Sequence, residues 1–594
     1  MEGADELVDI GGGRRYMSDR PSRRFPIYTR GNAGEVYPEP YYPLSWSLTA
    51  ADGGAVFESA SRQSGILGAE DFAEDAAVSS GVFAGYAYLN LSLSRVGAIR
   101  MPGAGLDDVD RAMLGGADLP PHVAQKGDKN LLASLRGLRA AWRTIGTDDL
   151  PELRAQQAKV KSWLSTLPDP DSASDEELRV ALQSSNDLIF ELFETHLVVS
   201  GQSAIAQGAL AGMCRDHLDD ENLVLVLTSG LGDVASAAPS NELWDLGRLV
   251  ADSADLTLAF DGGVDEGLLD RIESTGGDDA AAFTLAFSAF LDRHGCRGPN
   301  EWETACPTWG TQPTLALALA DRMRGAAADH DPRVQNERLR GARVAATEAA
   351  LGRLKRRHRW LFRRVLRSAH VLSTGRERSK TTVIEAIHGL RVRSMALGRR
   401  VAERGGGEPD DLWFVLSDEL EDYLDEPASF TEAIAERRAT RELLATLEPP
   451  FVFDGAIPPI DQWTRRADAV HQTLAVGEAL TGIAGCAGIA RGRACVVIDP
   501  ADPGDLGPGD VLIAPSTDPA WTPLFVPVEA VVVDVGAQMS HAVIVSRELG
   551  LPCVVSATDA TRRIPHGALI EVDGDRGEVR MIQSAPDPIR GSRQ

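Results

Sequence analysis

Apolar residues recur three and four positions apart along most of the chain between Leu131 and Leu447. This spacing places them on one face of an α-helix, and loops rich in Gly, Asp and Pro separate the helical segments. The pattern therefore predicts one large helical domain, or two stacked helical domains. The segments in which the periodicity is clearest are Glu177–Val199, Ala280–Arg293, Pro332–Val371 and Thr382–Glu403.

The N-terminal stretch does not share this helical pattern. Residues 1–24 are polar and rich in Gly and Arg, with no apolar signal core, so we expect them to be disordered. Phe25–Leu48 is dense in Pro, Tyr and Trp, and we expect it to be an extended segment packed on a surface. No uninterrupted apolar run is long enough to span a bilayer. The sequence therefore predicts a cytoplasmic protein with no membrane partner.

The pattern changes after Leu480, where short β-branched runs alternate with turns rich in Pro, Gly and Asp. One short helix, His541–Leu549, is predicted between the third and fourth runs, because Gly550 and Pro552 are helix stop signals. This alternation indicates a small, separate α/β domain. The runs predicted to be strands are Ala494–Ile498, Val511–Ala514, Ala530–Val535, Pro552–Val555 and Leu569–Val572.

The length of 594 residues, with 43% hydrophobic residues, also favours more than one domain. The predicted fold class is α plus α/β, with a large, mainly helical domain followed by a small β/β/α domain. We place the helical domain at residues 25–474, a hinge linker at 475–481 and the small domain at 482–583. A disordered tail is expected at residues 584–594.

Charge and cysteine content exclude two classes of site. The net charge of −27 argues against a nucleic-acid partner, because binding to phosphates needs clustered positive charge. The six cysteines are scattered, and no pair has the close spacing of a zinc site. We therefore expect reduced thiols and no metal site in this chain.

The strand around Val531 leads through a loop containing Gly536 to Ser540 and His541 at the start of the predicted helix. Ser540 is placed to be the N-cap residue. The free backbone N–H groups and the positive end of the helix dipole suit a phosphorylated imidazole, and they disfavour the imidazolium form. A histidine at this position is also typical of a capping or packing residue, so the local pattern leaves both interpretations open.

Three segments, taken in order, resemble the mobile phosphohistidine domain of the PEP-utilising enzymes: Gly482–Gly492, Ser516–Phe525 and Gly536–Pro552. The resemblance implies a swivelling domain in which His541 carries a phosphoryl group. It also implies that Ser540, Gly536 and Thr517 support the phosphohistidine.

The resemblance continues upstream in segments that look like the helical acceptor-binding domain of the rifampicin-phosphorylating members: Gly31–Leu48, His294–Glu301 and Pro409–Phe414. Full-length members begin with an ATP-grasp domain, whereas here the acceptor-domain pattern starts near the N-terminus. The resemblance therefore implies a partner ATP-grasp subunit that binds ATP and Mg²⁺. No cofactor is expected to bind tightly to this chain.

Helical spacing places Arg376, Glu377 and Lys380 on one face, and this cluster resembles an Arg-Glu-x-x-Lys motif at the acceptor centre of the same family. The two cations could neutralise a transferring phosphoryl group, and Glu377 could accept the proton of the acceptor hydroxyl. A solvated ion pair on the helix surface is the alternative. Arg297 and Glu301 are further candidates for acceptor binding, although such a pair often only fastens a loop to a helix.

Four other histidines are alternative bases, although a lone helical histidine is usually a packing or surface residue: His294, His358, His370 and His388.

The chemistry implied by the resemblance converts ATP, acceptor and water into AMP, phosphate and phosphorylated acceptor. The predicted enzyme is an ATP-dependent, dikinase-type phosphotransferase that acts on a small hydroxylated organic molecule, with a phenol as the preferred acceptor. Two alternatives remain: an antibiotic phosphotransferase of the rifamycin type, and a non-catalytic regulatory protein that retains the fold.

Overall fold

The structure is a computed structural model with described residues in eleven stretches: 7–51, 53–74, 76–101, 105–114, 120–232, 238–326, 331–468, 472–500, 502–518, 521–537 and 540–585. The predicted disorder of residues 1–6 and 586–594 lies outside these stretches.

A β-hairpin occupies part of the N-terminal stretch that was expected to be disordered. Its strands β1 (Leu7–Gly11) and β2 (Arg14–Met17) pair antiparallel. Tyr16 and Met17 are fully buried, and the Tyr16 hydroxyl donates a hydrogen bond to the carbonyl oxygen of Tyr41. The prediction of disorder is therefore wrong for residues 7–24, because these side chains pack into a core that is built from distant parts of the chain.

A four-stranded antiparallel sheet follows, in the order β4-β5-β3-β6. Its strands are β3 (Ile27–Thr29), β4 (Ser80–Phe83), β5 (Tyr86–Asn90) and β6 (Val452–Asp454). Tyr28 is fully buried and stacks on Phe453, with 5.1 Å between ring centroids. The segment from Phe25 is thus part of the core, and the expectation that it lies on a surface is corrected.

The rest of this domain is helical, as predicted. Its α-helices are α1 (Ala33–Val36), α2 (Pro43–Thr49), α3 (Gly53–Gln63), α4 (Leu91–Arg100), α5 (Leu106–Leu114), α6 (Leu131–Thr144), α7 (Pro151–Leu164), α8 (Asp175–Gln183), α9 (Asn186–Leu218), α10 (Leu223–Leu227), α11 (Ala238–Asp252), α12 (Ala254–Asp261), α13 (Leu268–Thr275), α14 (Gly277–His294), α15 (Thr314–Gly325), α16 (Pro332–Arg353), α17 (Arg356–Glu403), α18 (Leu420–Asp425) and α19 (Thr431–Ala445).

The long helices α9 and α17 pack against each other and form the centre of the helical domain. The stretch Asp175–Leu218 contains a window that is long and apolar enough, by length and composition only, to cross a membrane. Its buried residues, such as Leu192 and Leu210, lie in clusters shared with α17. One third of the window is buried inside the protein, so packing against α17 accounts for part of its apolar composition.

The C-terminal domain is built on an eight-stranded sheet in the order β7-β14-β13-β9-β10-β11-β12-β8. Strands β9 to β12 run parallel, and the outer strands pair antiparallel. The elements are β7 (Ala479–Thr481), β8 (Ile483–Cys486), β9 (Ile489–Val496), β10 (Asp510–Ala514), α20 (Thr522–Phe525), β11 (Ala530–Val533), α21 (His541–Leu549), β12 (Cys553–Val555), α22 (Ala560–Arg563), β13 (Leu569–Asp573) and β14 (Glu578–Gln583).

This domain confirms the predicted α plus α/β class, and helix α21 has the predicted bounds. The last three residues of the predicted linker at 475–481 form strand β7, which pairs with β14 at the edge of the sheet. Backbone pairing of these residues with Glu578–Arg580 gives them a place in the sheet that their local composition did not indicate.

The C-terminal domain lies against the helical domain through α20 and α21. Helix α20 contacts α11 and α15. At the C-terminal end of α21, the Glu548 carboxylate accepts hydrogen bonds from the N–H groups of Leu231 and Gly232, at 3.0 and 3.1 Å, and from Asn336 Nδ2 at 2.7 Å. These contacts hold α21 so that its N-terminus faces the helical domain.

Candidate active site

A cavity of about 700 Å³ lies at the N-terminus of α21, between the two domains. Its wall combines the start of α21, the loop after β10, the short helix α1 and one face of α17. The volume is within the range of pockets that bind organic molecules of drug size. The predicted carrier histidine and the predicted acceptor cluster on α17 therefore border the same space.

His541 is the first residue of α21, and its side chain is buried. The N-cap residue is Ser540, whose hydroxyl accepts a hydrogen bond from the N–H of Val543 at 3.5 Å. The imidazole lies between two hydroxyl groups, with Nδ1 3.1 Å from Thr517 Oγ1 and Nε2 3.0 Å from Thr522 Oγ1. Because a hydroxyl can donate or accept, this arrangement accommodates either neutral tautomer.

Burial lowers the pKa of His541 well below its ordinary value, and the positive charges of Lys380, Arg297 and Arg376 lower it further. The imidazole is therefore neutral at physiological pH. A neutral imidazole retains the lone pair with which it can attack phosphorus.

Glu35 lies in α1, next to the start of α21, and accepts a hydrogen bond from the main-chain N–H of His541 at 2.8 Å. This N–H belongs to the first turn of α21, where backbone N–H groups have no acceptor within the helix. Burial raises the pKa of Glu35 to about 7; the hydrogen bond and the cations of Arg376 and Lys380 oppose this rise, and the negative charge of Glu377 adds to it.

Arg376, Glu377 and Lys380 lie together on the cavity-facing side of α17, as their spacing predicted. Arg376 Nη1 is 2.8 Å from Glu377 Oε1, and Lys380 Nζ is 3.2 Å from Glu301 Oε1. These ion pairs are largely removed from water, with exposures of 18% and 4% for the first and 13% and 0% for the second. They are therefore not the solvated ion pair on the helix surface that was the alternative interpretation of the sequence.

Arg297 and Glu301 are fully buried in the loop after α14, with 2.8 Å between Arg297 Nε and Glu301 Oε2. Arg297 also donates to Thr381 Oγ1 at 2.8 Å, so the pair fastens this loop to α17. Glu301 borders the cavity, whereas Arg297 lies behind the lining residues. Glu301 is therefore the one of the two that borders the cavity, and the role of both residues in acceptor binding stays a prediction.

Gly536 lies beneath the start of α21, where its carbonyl oxygen accepts a hydrogen bond from Ser556 Oγ at 2.6 Å. A Cβ at this position would stand 3.1 Å from Val555 Cβ and 3.2 Å from Ser540 Oγ. The absence of a side chain therefore lets the loop pass close to the N-cap of α21.

None of the four histidines considered as alternative bases borders the cavity within the described part of the chain. Instead, His370 Nε2 lies 2.7 Å from the carbonyl oxygen of Leu227, and His294 Nε2 lies 3.2 Å from Glu242 Oε1. These contacts are structural.

Sequence reasoning did not single out three residues that the fold brings to this site: Glu35, His196 and Thr522. Glu35 and Thr522 lie inside motifs that carried the family resemblance, so the motifs pointed to their segments and not to their roles. His196 is an isolated histidine on α9, for which the sequence gives no signal. Burial and the nearby cations Arg376 and Lys380 lower its pKa to about 3.

Aromatic rings form much of the remaining wall. The ring of Trp302 lies 5.8 Å from those of both Phe193 and His196, and 6.3 Å from that of Tyr37. All four residues border the cavity. The cavity therefore combines a charged end near His541 with an aromatic portion that suits a flat organic group.

Two family comparisons cover separate parts of the chain. Residues 196–377 match the rifampicin phosphotransferase fourth domain. Residues 506–577 match the PEP-utilising enzyme mobile domain, which contains the described His541 site.

Three similar proteins each match this chain over part of their own length. An uncharacterized protein of Mycobacterium tuberculosis is 35% identical over 310 residues, or 52% of this chain and 33% of the relative. A rifampicin phosphotransferase of a Streptomyces species is 29% identical over 415 residues, or 66% of this chain and 46% of the relative. The prodigiosin synthesizing transferase PigC of Serratia marcescens is 31% identical over 304 residues, or 49% of this chain and 33% of the relative. The chain thus spans between a third and a half of the length of these relatives.

Proposed function

We propose that this chain, a member of the PEP-utilising family that resembles rifampicin phosphotransferase, is a phosphotransferase in which His541 carries the phosphoryl group. The group passes from His541 to a hydroxyl of a small organic acceptor in the cavity between the domains. The observation that carries this proposal is the position of a buried His541 at the same cavity as Arg376 and Lys380.

The residues around His541 can perform the second transfer. Lys380 and Arg376 stabilise the negative charge on the phosphoryl oxygens while the P–N bond breaks and the P–O bond forms. The threonine hydroxyls at Nδ1 and Nε2 orient the imidazole. Burial excludes water, which would otherwise compete with the acceptor.

Loading of His541 from ATP on a separate subunit requires the C-terminal domain to move. In the docked arrangement His541 is only 6% exposed and faces the acceptor cavity. We therefore propose that the domain swings outward to a partner ATP-grasp subunit, which binds ATP and Mg²⁺ and transfers the β-phosphoryl group of ATP to His541. Two separate half-reactions then share one covalent carrier. Water takes the γ-phosphoryl group, and the products are AMP, phosphate and the phosphorylated acceptor.

A phenol is the proposed acceptor, supported by the aromatic wall formed by Tyr37, Phe193, His196 and Trp302. Aromatic rings favour stacked or edge-to-face contacts with a flat ring. A rifamycin-type antibiotic is the second candidate, because residues 196–377 match a rifampicin phosphotransferase domain. An intact His541 beside cationic side chains argues against the third interpretation, a regulatory protein without catalysis.

The test follows the phosphoryl group. The isolated chain is incubated with labelled ATP, and then with an ATP-grasp partner, phenol and a rifamycin in separate reactions. We expect no AMP from the isolated chain, acid-labile phosphate on the chain when the partner is present, and phenyl phosphate as the product. AMP formation by the isolated chain would exclude the split arrangement, and transfer to the rifamycin alone would exclude the phenol.

A further inference from the structure

Three glutamates lie at the charged end of the cavity. Glu35 differs from the other two in the group that its carboxylate contacts. Glu377 pairs with Arg376, and Glu301 pairs with Arg297 and Lys380. The Glu35 carboxylate instead accepts a hydrogen bond from the main-chain N–H of His541. Among the described residues, no Lys or Arg nitrogen forms an ion pair with Glu35.

We infer that Glu35 is the general base of the acceptor half-reaction, taking the proton of the acceptor hydroxyl as that oxygen attacks the phosphoryl group on His541. This inference rests on the proposed function. The acceptor O–H bond breaks and its proton goes to Glu35, while the new P–O bond forms. The P–N bond breaks, and its electron pair returns to the imidazole.

The position of Glu35 supports this role. Its carboxylate borders the cavity and lies within 2.8 Å of the backbone of the residue that carries the phosphoryl group. An acceptor hydroxyl that reaches His541 is therefore also close to Glu35, as proton transfer requires.

Glu377 has the competing position, because it also borders the cavity and was the base expected from the sequence. Protonation of Glu377 would remove its ion pair with Arg376, at 2.8 Å, and would leave a partly buried cation without this partner. Protonation of Glu35 removes no ion pair. We therefore assign Glu377 to positioning Arg376 beside the phosphoryl group.

Burial and the neighbouring charges bring the pKa of Glu35 close to neutral pH. Burial raises its pKa to about 7, the Glu377 carboxylate contributes to that rise, and Arg376, Lys380 and the hydrogen bond from His541 limit it. A base whose pKa lies near the operating pH combines a useful ionised fraction with good proton affinity. The rate of the acceptor half-reaction should therefore rise as pH increases through about 7.

Two substitutions separate proton acceptance from docking. Glu35→Gln retains a carbonyl oxygen that can accept the His541 N–H, but it cannot act as a base. Glu35→Leu loses both properties. Glu39→Gln is the matched control, because Glu39 follows in the same segment but pairs with Arg466, at 3.4 Å, away from the cavity lining.

His541 is loaded in each full-length chain with phosphoramidate, which is small enough to enter the cavity and requires no partner. Phenol is then added, and the conversion of acid-labile phosphate into phenyl phosphate is followed from pH 5.5 to 8.5. We expect equal loading in all variants and a discharge that is ~10²–10⁴-fold slower in Glu35→Gln and Glu35→Leu. The rise through pH 7 should disappear in Glu35→Gln and persist in Glu39→Gln.

A Glu35→Gln chain that discharges at the normal rate with the normal pH profile would overturn the inference and leave the proposed function standing. In that case, slow discharge by Glu35→Leu alone would assign Glu35 to docking. A wild-type chain that fails to load His541, or loads it and fails to form phenyl phosphate, would overturn the proposed phenol transfer together with this inference.

Discussion

The main-chain N–H of His541 donates a hydrogen bond to Glu35 Oε1 at 2.8 Å, although 506 residues separate the two along the chain. The bond joins the first turn of α21 to the wall of the helical domain. It places the proposed carrier nitrogen atoms beside the cations of α17, which also depress the pKa of His541. The docked arrangement is therefore the geometry proposed for delivering a phosphoryl group to the acceptor.

His541→Ala should abolish acid-labile, base-stable labelling of the chain by ATP and the proposed partner subunit, because no other histidine at this cavity lies at a helix N-terminus within the described residues. Labelling is measured by phosphate release in acid after gel separation. His566→Ala is the control, since His566 lies in the same domain and is half exposed beside Asp505. Persistent labelling of His541→Ala would mean that another residue carries the phosphoryl group.

Glu377→Gln and Lys380→Ala should accept a phosphoryl group on His541 at near-normal rates and pass it on slowly. Both residues border the cavity, and the proposed loading by a partner subunit takes place away from it. Loss of one group that stabilises or positions charge is expected to slow discharge by ~10²–10³-fold. Arg378→Ala is the matched control on α17, because Arg378 bonds Gln157 at 2.6 Å and does not border the cavity. Normal discharge by both variants would remove the α17 cluster from the mechanism.

Glu548→Ala should loosen the docking of α21, because its carboxylate accepts three hydrogen bonds from the helical domain. Each contributes roughly 1 kcal/mol. We expect faster amide hydrogen exchange at Leu231 and Gly232, the two backbone donors, and slower discharge of phosphorylated His541. Glu571→Ala is the control, because Glu571 pairs with Arg491 within the C-terminal domain. Unchanged exchange at both donors would show that these bonds do not hold the docked state.

Asp534→Asn should alter the pH dependence of stability. Burial raises the pKa of Asp534 from 3.8 to about 7, against hydrogen bonds from the backbone N–H and hydroxyl of Thr561. Between these pKa values the unfolded chain releases this proton and the folded chain retains it. The wild-type chain should therefore lose stability as pH rises from about 4 to about 7, by at most ~1.4 kcal/mol per pH unit.

Asn keeps an oxygen that can accept from Thr561 and does not titrate, so the stability difference between variant and wild type should grow in favour of Asn over that interval. Thermal unfolding of both chains at pH 4, 5.5, 7 and 8.5 measures this difference. A difference that does not change with pH would contradict the raised pKa. Asp575→Asn, in an exposed turn, controls for a change in net charge.

Local signals predicted several elements correctly. Helix α21 begins and ends as expected because Ser540 caps its N-terminus and Gly550 adopts the left-handed conformation at its C-terminus, with φ of 70°. The shared face of Arg376 and Lys380 follows from helical periodicity alone. The N-terminal hairpin was missed because its pairing and the burial of Tyr16 depend on residues far along the chain.

The sequence by itself determined the class of the fold, the helix that presents His541 and the cationic face of α17, because capping, turn residues and periodicity act over a few neighbouring residues. Only the tertiary structure decided that Glu35, Lys380 and His541 border one cavity, and that Glu301 serves as the ion-pair partner of Lys380. Such contacts join segments hundreds of residues apart. They depend on how whole helices and sheets pack, which no local pattern encodes.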